Sequence, residues 1–259
     1  QRGGLGFNGA FADQILDARA NAHAAAFVGE RIRELVHDPA TAALLTPQSV
    51  LGCKRLCVET GYYETYNESH VELVDISERG IETLTETGLR AADRDFALDT
   101  IVMATGFDAM TGSILRIDPV GRGGRPLSDA WAEGPKSYLG LAVAGFPNLF
   151  TITGPGSPSV LSNMIASIEQ HVDWLSDCLA SLQAQGRTRI EATEQAQEDW
   201  VHHVARIADG TLYPTCNSWY LGANIPGKPR VFMPYIGGPP YREICEKVAA
   251  EGYEGFIIG

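Results

Sequence analysis

The stretch from Asn148 to Gln185 constrains the fold of this chain more than any other. Its apolar run Leu149–Thr153 predicts a buried strand that ends in the glycine turn at 154–156. Ser157 has the right side chain for a helix N-cap, and Pro158 suits a first helical residue. One long amphipathic helix should follow and end at Gly186, because apolar residues then recur every three or four positions: Leu161, Met164, Ile165, Ile168, Val172, Leu175, Leu179 and Leu182.

A strand, a glycine turn and a helix in this order direct backbone N–H groups and the positive end of the helix toward one point. That arrangement suits an anionic or polar ring ligand. An ordinary tight connection between strand and helix has the same pattern. The stretch by itself leaves both interpretations open.

The composition excludes some classes of partner. The chain has 259 residues, 44% of them hydrophobic and 20% charged, as in globular proteins. Its net charge of −12 argues against nucleic acid and anionic membrane surfaces, because binding phosphate needs an excess of Lys and Arg. Neither a signal pattern nor an apolar run near the ~18 residues of a membrane span occurs. We therefore expect no nucleic-acid or membrane partner.

The cysteines predict a cytoplasmic protein without a metal site. Five cysteines, an odd number in a chain of this length, do not suggest a disulfide framework, so a reducing compartment fits better. Cys53 and Cys57 form a close pair, but no other Cys or His lies nearby to complete a metal site. The chain also begins at Gln1 without an initiator Met, and its first Met is Met103. We expect a piece of a longer polypeptide.

The first half of the chain divides into a helical and a β-rich part. Residues 1–12 predict a glycine-rich loop, Asp17–His37 a helix, and Asp38 the start of a second helix that ends near Thr46. Val71–Ile76 alternates as a strand, and three short β segments follow at 81–85, 88–90 and 94–96.

Leu98–Asp108 is a continuous apolar run that favours a parallel strand buried on both faces. A strand, a small meander and a return strand that ends in Ala-Thr-Gly are typical of the close of a dinucleotide-binding domain. Gly106 would let the backbone approach a cofactor.

The second half alternates helices with connecting segments. Residues 109–147 read as mainly connecting structure, and Thr193–Ala208 as a helix with Trp200, Val204 and Ile207 inward and a solvated pair, His202 and His203. Ser218–Gly227 carries two large aromatic residues among Gly and Pro hinges, as in a lid over a pocket or a packed corner. Arg230–Tyr235 predicts a strand, and Tyr241–Ala250 a last helix.

Arg55 is the first candidate for chemistry. It is flanked by apolar residues, and an unpaired buried cation is unstable. Either a carboxylate pairs with it, or it faces a cleft and stabilises an anion there. Lys54 should point the other way, toward a possible phosphate. Thr105, Gly106 and Asp108 are cofactor neighbours by position.

Several ordered motifs resemble type I Baeyer–Villiger monooxygenases. They are Lys54-Arg55 with Thr60–Asn67, Ala104–Asp108, Gly145–Phe150 with Gly154–Pro158, Ser167–His171, and Ser218–Asn224. The resemblance covers nearly the whole chain, and it corresponds to the C-terminal half of that family. No GxGxxG that is followed directly by a helix and an acidic residue occurs in the chain, so the pyrophosphate-binding βαβ unit of a complete Rossmann domain is missing.

The resemblance implies FAD as prosthetic group, NADPH as reductant, and conversion of a ketone with O2 into an ester or lactone. It gives Arg55 the catalytic role of stabilising a negatively charged C4a-peroxyflavin, and Lys54 that of binding the 2′-phosphate of NADPH. The implied cofactor-binding residues are Lys54, Thr105, Gly106, Phe107, Asp108, Gly154, Pro155, Met164 and Trp219. The implied substrate pocket contains Val58, Ser159, Val160, Leu161, Met164 and Trp219, with no metal.

The implied fold class is α/β, as part of a flavoprotein with two Rossmann-like dinucleotide-binding domains and a helical insertion. Residues 1–53 would be the insertion, 54–106 the end of the NADPH domain, and 107–259 the second half of the FAD domain. Two partial domains should expose apolar surface, so we expect activity only with the N-terminal half of the same enzyme. A related N- or S-oxygenating flavin monooxygenase, in which Arg55 would matter less, and a non-catalytic fragment are the alternatives.

Overall fold

The computed structural model describes residues 5–259, so the first four residues of the predicted N-terminal loop lie outside it. Short helix α1, Leu5–Asn8, occupies part of the segment predicted to be a loop. Helices α2, Ala18–Leu35, and α3, Pro39–Leu45, confirm the two helices predicted next. Asp17 and Asp38 cap them by accepting hydrogen bonds from backbone N–H groups of the first turn. A small core of Ile32, Val36 and Ala42 holds the pair together.

A three-stranded antiparallel meander confirms the short β segments. Its strands are β1, Ile81–Thr85, β2, Gly88–Ala91, and β3, Arg94–Ala97, in sheet order β1-β2-β3. Short turns connect strands that are adjacent in sequence, so local signals suffice to predict this sheet.

The segments before and after the meander are not strands, and the predictions for 71–76 and 98–108 are wrong for this chain. Val102 is 82% and Phe107 91% exposed, whereas a strand covered on both faces would bury them. Such a strand needs neighbouring strands and helices on both sides, and none of these packs on residues 98–107 within the described chain.

The main core lies in the C-terminal part. It is built by α6, Met164–Ala184, α7, Glu194–Asp209, and α8, Gly238–Ala250, with the strand pair β4, Ile190–Ala192, and β5, Phe256–Ile258. Between β3 and α6 lie the short helices α4, Gly112–Ile117, and α5, Leu127–Ala130. The segment 109–147 is more than a connection, because its residues Leu139 and Leu141 are fully buried in this core.

Helix α7 confirms the prediction, with Thr193 as N-cap and Trp200 and Val204 buried. Of the two predicted surface histidines, His202 is exposed, but His203 is half-buried and stacks on Trp200 and Tyr235. Helix α8 confirms the last helix. The segment predicted as the strand Arg230–Tyr235 is extended but is not a strand; it bonds to the glycine turn through single hydrogen bonds instead.

The predicted long helix begins later than its sequence suggests. Ser157 bonds back to the Gly154 carbonyl instead of capping a helix, and a 3-10 turn at Ser159–Leu161 precedes α6. Asn163 is the actual N-cap, and the chain turns away at Gly186 as predicted. The apolar run at 149–153 forms only an isolated bridge, between Phe150 and Ala142.

Helix α6 buries only part of its predicted apolar face. Trp174, Leu175 and Cys178 enter the core, and the Trp174 indole N–H donates to the Cys245 carbonyl of α8 at 2.8 Å. Another flank stays exposed within the described chain, and it carries Ile165, Val172 and Leu179. An apolar flank without cover on a long helix indicates a surface that packs against another part of a larger structure.

Cys53 and Cys216 form a disulfide with Cα atoms 5.6 Å apart. The prediction that the cysteines stay unpaired is therefore wrong for these two. They are 163 residues apart in sequence, and they meet in a second core cluster with Tyr213, Tyr220 and Leu221. No spacing rule predicts such a pair.

Candidate active-site cleft

A cleft of about 430 Å³ lies between α4, the glycine turn and the start of α6. Six of its lining residues are among those predicted from the sequence: Gly154, Pro155, Ser159, Val160, Met164 and Trp219. The lining is mainly apolar, and its volume falls in the range of small-molecule sites. The tertiary structure thus brings the predicted turn, the helix start and the aromatic loop to one place.

The floor of the cleft is the glycine turn, which is held from several sides. Ser137 Oγ donates to the Pro155 carbonyl at 2.5 Å, and the Trp200 indole N–H donates to the Gly156 carbonyl at 3.0 Å. A Cβ atom at Gly154 would lie 2.6 Å from the Gly140 carbonyl oxygen, which explains glycine at this position. The floor is thus fixed in place by hydrogen bonds and carries only small or rigid side chains, as a surface under a planar ring would need.

The 3-10 turn at Ser159–Leu161 forms a bulge beside the floor. Ser159 is buried and adopts a left-handed backbone with φ of 42°, and its hydroxyl contacts the Met110 sulfur at 3.8 Å. This conformation keeps the chain out of the helix and leaves the Val160 carbonyl free to accept a hydrogen bond. Val160 lines the cleft, and both Val160 and Leu161 pack against the second core cluster.

Arg55 lies at the rim of the cleft. Its Nη1 donates to the Val160 carbonyl at 3.4 Å, across 105 residues of sequence. The side chain is exposed and forms no ion pair with a carboxylate of residues 5–259. The prediction that Arg55 is a buried cation is therefore wrong for this chain, and its role toward an anion in the cleft stays a prediction.

The positive charge of Arg55 also acts on the nearby Tyr220 phenol. Burial raises the pKa of the Tyr220 phenol to about 12, and the nearby charge of Arg55 acts in the opposite direction. At neutral pH the phenol therefore stays neutral, so Arg55 has no anionic neighbour on this side.

The loop 218–227 has features of both a packed corner and a wall of the cleft. Tyr220 and Leu221 are buried, as in a packed corner, while Trp219 is half-buried and lines the cleft. The rings of Trp219 and Tyr220 meet edge to face with centroids 4.5 Å apart. Whether the loop moves stays a prediction.

Lys228 is a contact that the sequence did not suggest. Its nearly buried ammonium group pairs with Asp108 and donates to the Ala109 carbonyl at 2.9 Å, while Asn224 donates to the Phe107 carbonyl at 3.0 Å. These bonds join the aromatic loop to the Ala-Thr-Gly-Phe-Asp segment and fix one side of the cleft. Lys and Asp 120 residues apart carry no signal of pairing in the sequence.

Other predicted site residues lie outside the cleft. Thr105, Gly106 and Phe107 are exposed next to it, and Lys54 is exposed beside Arg55. Val58 is 79% exposed and lines no part of the cavity. The cleft instead includes residues that sequence analysis missed: Met110, Ser113, Ile114, Ile117, Phe150 and Thr153.

The cleft fits the ring of a flavin better than its phosphates. The backbone floor and apolar walls suit a flat heteroaromatic ring, but no GxGxxG phosphate-binding loop lines the cleft. Within residues 5–259 no group of three metal-ligating side chains converges. In the same part of the chain, no helix has the length and apolarity of a membrane span.

Comparisons with known proteins find relatives in the family that the sequence motifs resemble. Cyclohexanone 1,2-monooxygenase from Acinetobacter sp. is 40% identical over 250 residues, which are 96% of this chain and 46% of that protein. A Baeyer–Villiger monooxygenase from Pseudooceanicola batsensis is 40% identical over 262 residues, 99% of this chain and 47% of that protein. By sequence and by structure, the chain is similar to Baeyer–Villiger monooxygenases over about half of their length.

Solved structures show the same similarity in the fold. Steroid monooxygenase bound to NADP superposes with a TM-score of 0.91 at 52% identity, over 100% of this chain and 49% of that one. OTEMO in complex with FAD and NADP superposes with a TM-score of 0.89 at 40% identity, over 96% of this chain and 46% of that one. The predicted α/β flavoprotein fold is confirmed.

One relative differs in chemistry from the Baeyer–Villiger monooxygenases. Phenazine N-monooxygenase from Lysobacter antibioticus is 39% identical over 252 residues, 96% of this chain and 46% of that protein. No protein-family model matches the chain. The chain spans about half the length of the curated relatives it matches.

Proposed function

We propose that this chain forms the flavin-ring and substrate side of a Baeyer–Villiger monooxygenase that uses FAD, NADPH and O2. The reaction inserts one oxygen atom beside a ketone carbonyl and yields an ester or lactone. The observation that carries the proposal is the Arg55 guanidinium at the Val160 carbonyl, on the rim of an apolar cleft with a backbone floor.

Each part of the cleft has a role in this proposal. Bound FAD supplies the redox chemistry that activates O2. Thr153, Gly154 and Pro155 support its ring, while Arg55 holds a permanent positive charge where negative charge develops. Ser159, Val160 and Met164 limit the ketones that fit, and Trp219 closes the cleft on the cofactor side.

Further residues complete the proposed site outside the cleft. Thr105, Gly106, Phe107 and Asp108 contribute cofactor contacts, and Val58 and Leu161 belong to the outer substrate pocket. The proposed domains are residues 1–53 as the helical insertion, 54–106 as the end of the NADPH domain, and 107–259 as the second half of the FAD domain. A cytoplasmic location is part of the proposal.

The N-terminal half of the same enzyme is the proposed partner. Exposed apolar side chains on two segments that were predicted to be covered support it. Val102 and Phe107 are exposed on the segment predicted as a buried strand, and Ile165 on the flank of α6 is 65% exposed. Such large apolar side chains normally lie inside a domain or an interface.

The test uses this chain joined downstream of the N-terminal half of the steroid monooxygenase relative. We expect NADPH consumption that depends on cyclohexanone, with the lactone as product by gas chromatography. The phenazine N-monooxygenase relative makes N-oxygenation the second candidate function. Turnover of phenazine without ketone oxygenation would favour that candidate, and no turnover of either would favour a non-catalytic fragment.

We predict that the protein retains flavin only when the N-terminal half is joined to this chain. After incubation with excess FAD and desalting, the chain by itself should keep little flavin, because no GxGxxG loop for the pyrophosphate lines the cleft. The joined protein should keep about one FAD per chain. The visible flavin spectrum of the protein peak measures both, and a flavin stably bound to the chain by itself would contradict the prediction.

Lys54 should determine the preference for NADPH over NADH. Lys54→Ala removes an exposed cation beside Arg55, and the loss of a charged hydrogen bond to the 2′-phosphate should raise the KM for NADPH about 10- to 100-fold. The KM for NADH should change little. Lys136→Ala, which removes a lysine paired with Glu198, is the matched control. Equal effects on both cofactors would show that Lys54 does not bind that phosphate.

A further inference from the structure

A buried chain of hydrogen bonds connects two helices of the core to the floor of the cleft. His171 on α6 has no exposed surface. Its Nδ1 accepts from the Thr153 backbone N–H at 2.9 Å, and its Nε2 lies 2.8 Å from the Tyr241 hydroxyl of α8. The same hydroxyl donates to the Leu139 carbonyl at 2.6 Å.

The direction of these bonds determines the tautomer of the imidazole. A backbone N–H can only donate, so Nδ1 of His171 must carry the lone pair. The ring proton therefore resides on Nε2 and is donated to the Tyr241 oxygen, whose own proton goes to Leu139. Burial lowers the pKa of His171 to about 4, so the ring is neutral at neutral pH and all its bonds are satisfied.

Thr153 is held in an unusual conformation by this chain. It has a φ of 53°, in the left-handed region that β-branched residues rarely adopt. It also lines the cleft immediately before Gly154. Backbone strain of this kind persists where surrounding contacts determine it, and it concentrates at functional sites.

We propose that His171 is a positioning residue, which holds the Thr153 backbone in the left-handed conformation and so aligns the cleft floor against the flavin ring. Tyr241 orients the imidazole for this task. This inference rests on the proposed function for its consequence in catalysis. The positioning of Thr153 itself is measured without turnover.

Two substitutions distinguish the loss of the hydrogen-bond acceptor for Thr153 from a change in the size of the side chain. In His171→Asn, Oδ1 is as many bonds from Cα as Nδ1 is in histidine, so an acceptor for Thr153 remains. His171→Gln extends toward Tyr241 and loses that acceptor. In the joined protein before FAD is added, we expect hydrogen exchange at the Thr153 amide to be about 10-fold or more faster in His171→Gln, and near wild type in His171→Asn.

The catalytic consequence is measured in the same joined protein with FAD. His171→Gln should shift the visible circular dichroism of the flavin and lower the fraction of NADPH consumption that yields lactone, while the KM for NADPH stays the same. His171→Asn should behave as wild type in each measurement. Adding Thr153→Gly to His171→Gln should restore part of the flavin signal, because glycine adopts positive φ without strain.

The outcomes distinguish the two proposals. If the exchange result holds but no ketone is oxygenated by wild type, the proposed function fails and the positioning of Thr153 stands. If His171→Gln leaves the Thr153 amide as protected as wild type, or if both variants lose protection equally, His171 does not position this turn. Should His171→Gln fail to fold, folding of its Thr153→Gly double variant with a fast-exchanging amide at position 153 supports the proposal, and continued failure or a protected amide there overturns it.

Discussion

In the joined enzyme, Arg55→Ala is expected to lower kcat for lactone formation about 100- to 1,000-fold while FAD stays bound. Arg55 is the cation whose guanidinium reaches the cleft rim, where it donates to the Val160 carbonyl. In a water-poor site a fixed, permanently charged donor stabilises developing negative charge better than water does. Product formation by gas chromatography and flavin content by absorbance measure the two parts of the prediction.

Two further variants define the origin of that loss. Arg55→Lys keeps the charge but not the planar fork of donors, so we expect partial activity. Arg187→Ala removes an exposed arginine beyond the end of α6 and should leave the rate unchanged. If Arg55→Ala kept ketone oxygenation within about tenfold of wild type, a chemistry less dependent on this cation would be favoured, such as N-oxygenation.

Reduction of the Cys53–Cys216 disulfide is expected to lower the free energy of unfolding by about 4 kcal/mol. The bond closes a loop across 163 residues, so it removes much conformational freedom from the unfolded chain. It also joins the segment immediately before Lys54 to the segment immediately before the Trp219 loop. For a chain of this size the melting temperature should fall by about 10 °C.

Thermal unfolding with and without a dithiol reductant measures this effect. Cys216→Ser should reproduce the reduced protein and respond no further to reductant, whereas Cys57→Ser, at an exposed free cysteine, should behave as wild type. An unchanged melting temperature on reduction would mean that the thiols are unpaired in solution. That result would agree with the reducing compartment predicted from the odd number of cysteines.

The local signals for helix starts and short turns were reliable guides, whereas the local patterns for single strands were not. Asp17, Asp38 and Thr193 cap the helices that they were expected to start, and the β-meander follows its short turns. These elements depend on hydrogen bonds within a few residues, so a short window contains their cause. The helix start near Pro158 failed because a competing local bond, from Ser157 to the Gly154 carbonyl, formed instead.

The composition of the candidate cleft could be predicted in part, but its assembly could not. Six predicted residues line the cleft, because they were assigned by matching ordered sequence motifs to those of the family. The contacts that complete it join distant positions, such as Arg55 with Val160 and Lys228 with Asp108. Spacing along the chain contains no information about such pairs.

By itself, the sequence determined the capped helices, the meander and the family to which the motifs are similar, because each is written in neighbouring residues. The tertiary structure alone decided which apolar residues are covered. Val102 and Ile165 have the pattern of core residues and yet are exposed, since burial requires a neighbouring surface. The tertiary structure also decided the Cys53–Cys216 disulfide and the hydrogen bond from the Thr153 N–H to His171. Both form only when packing brings residues that are distant in sequence close together.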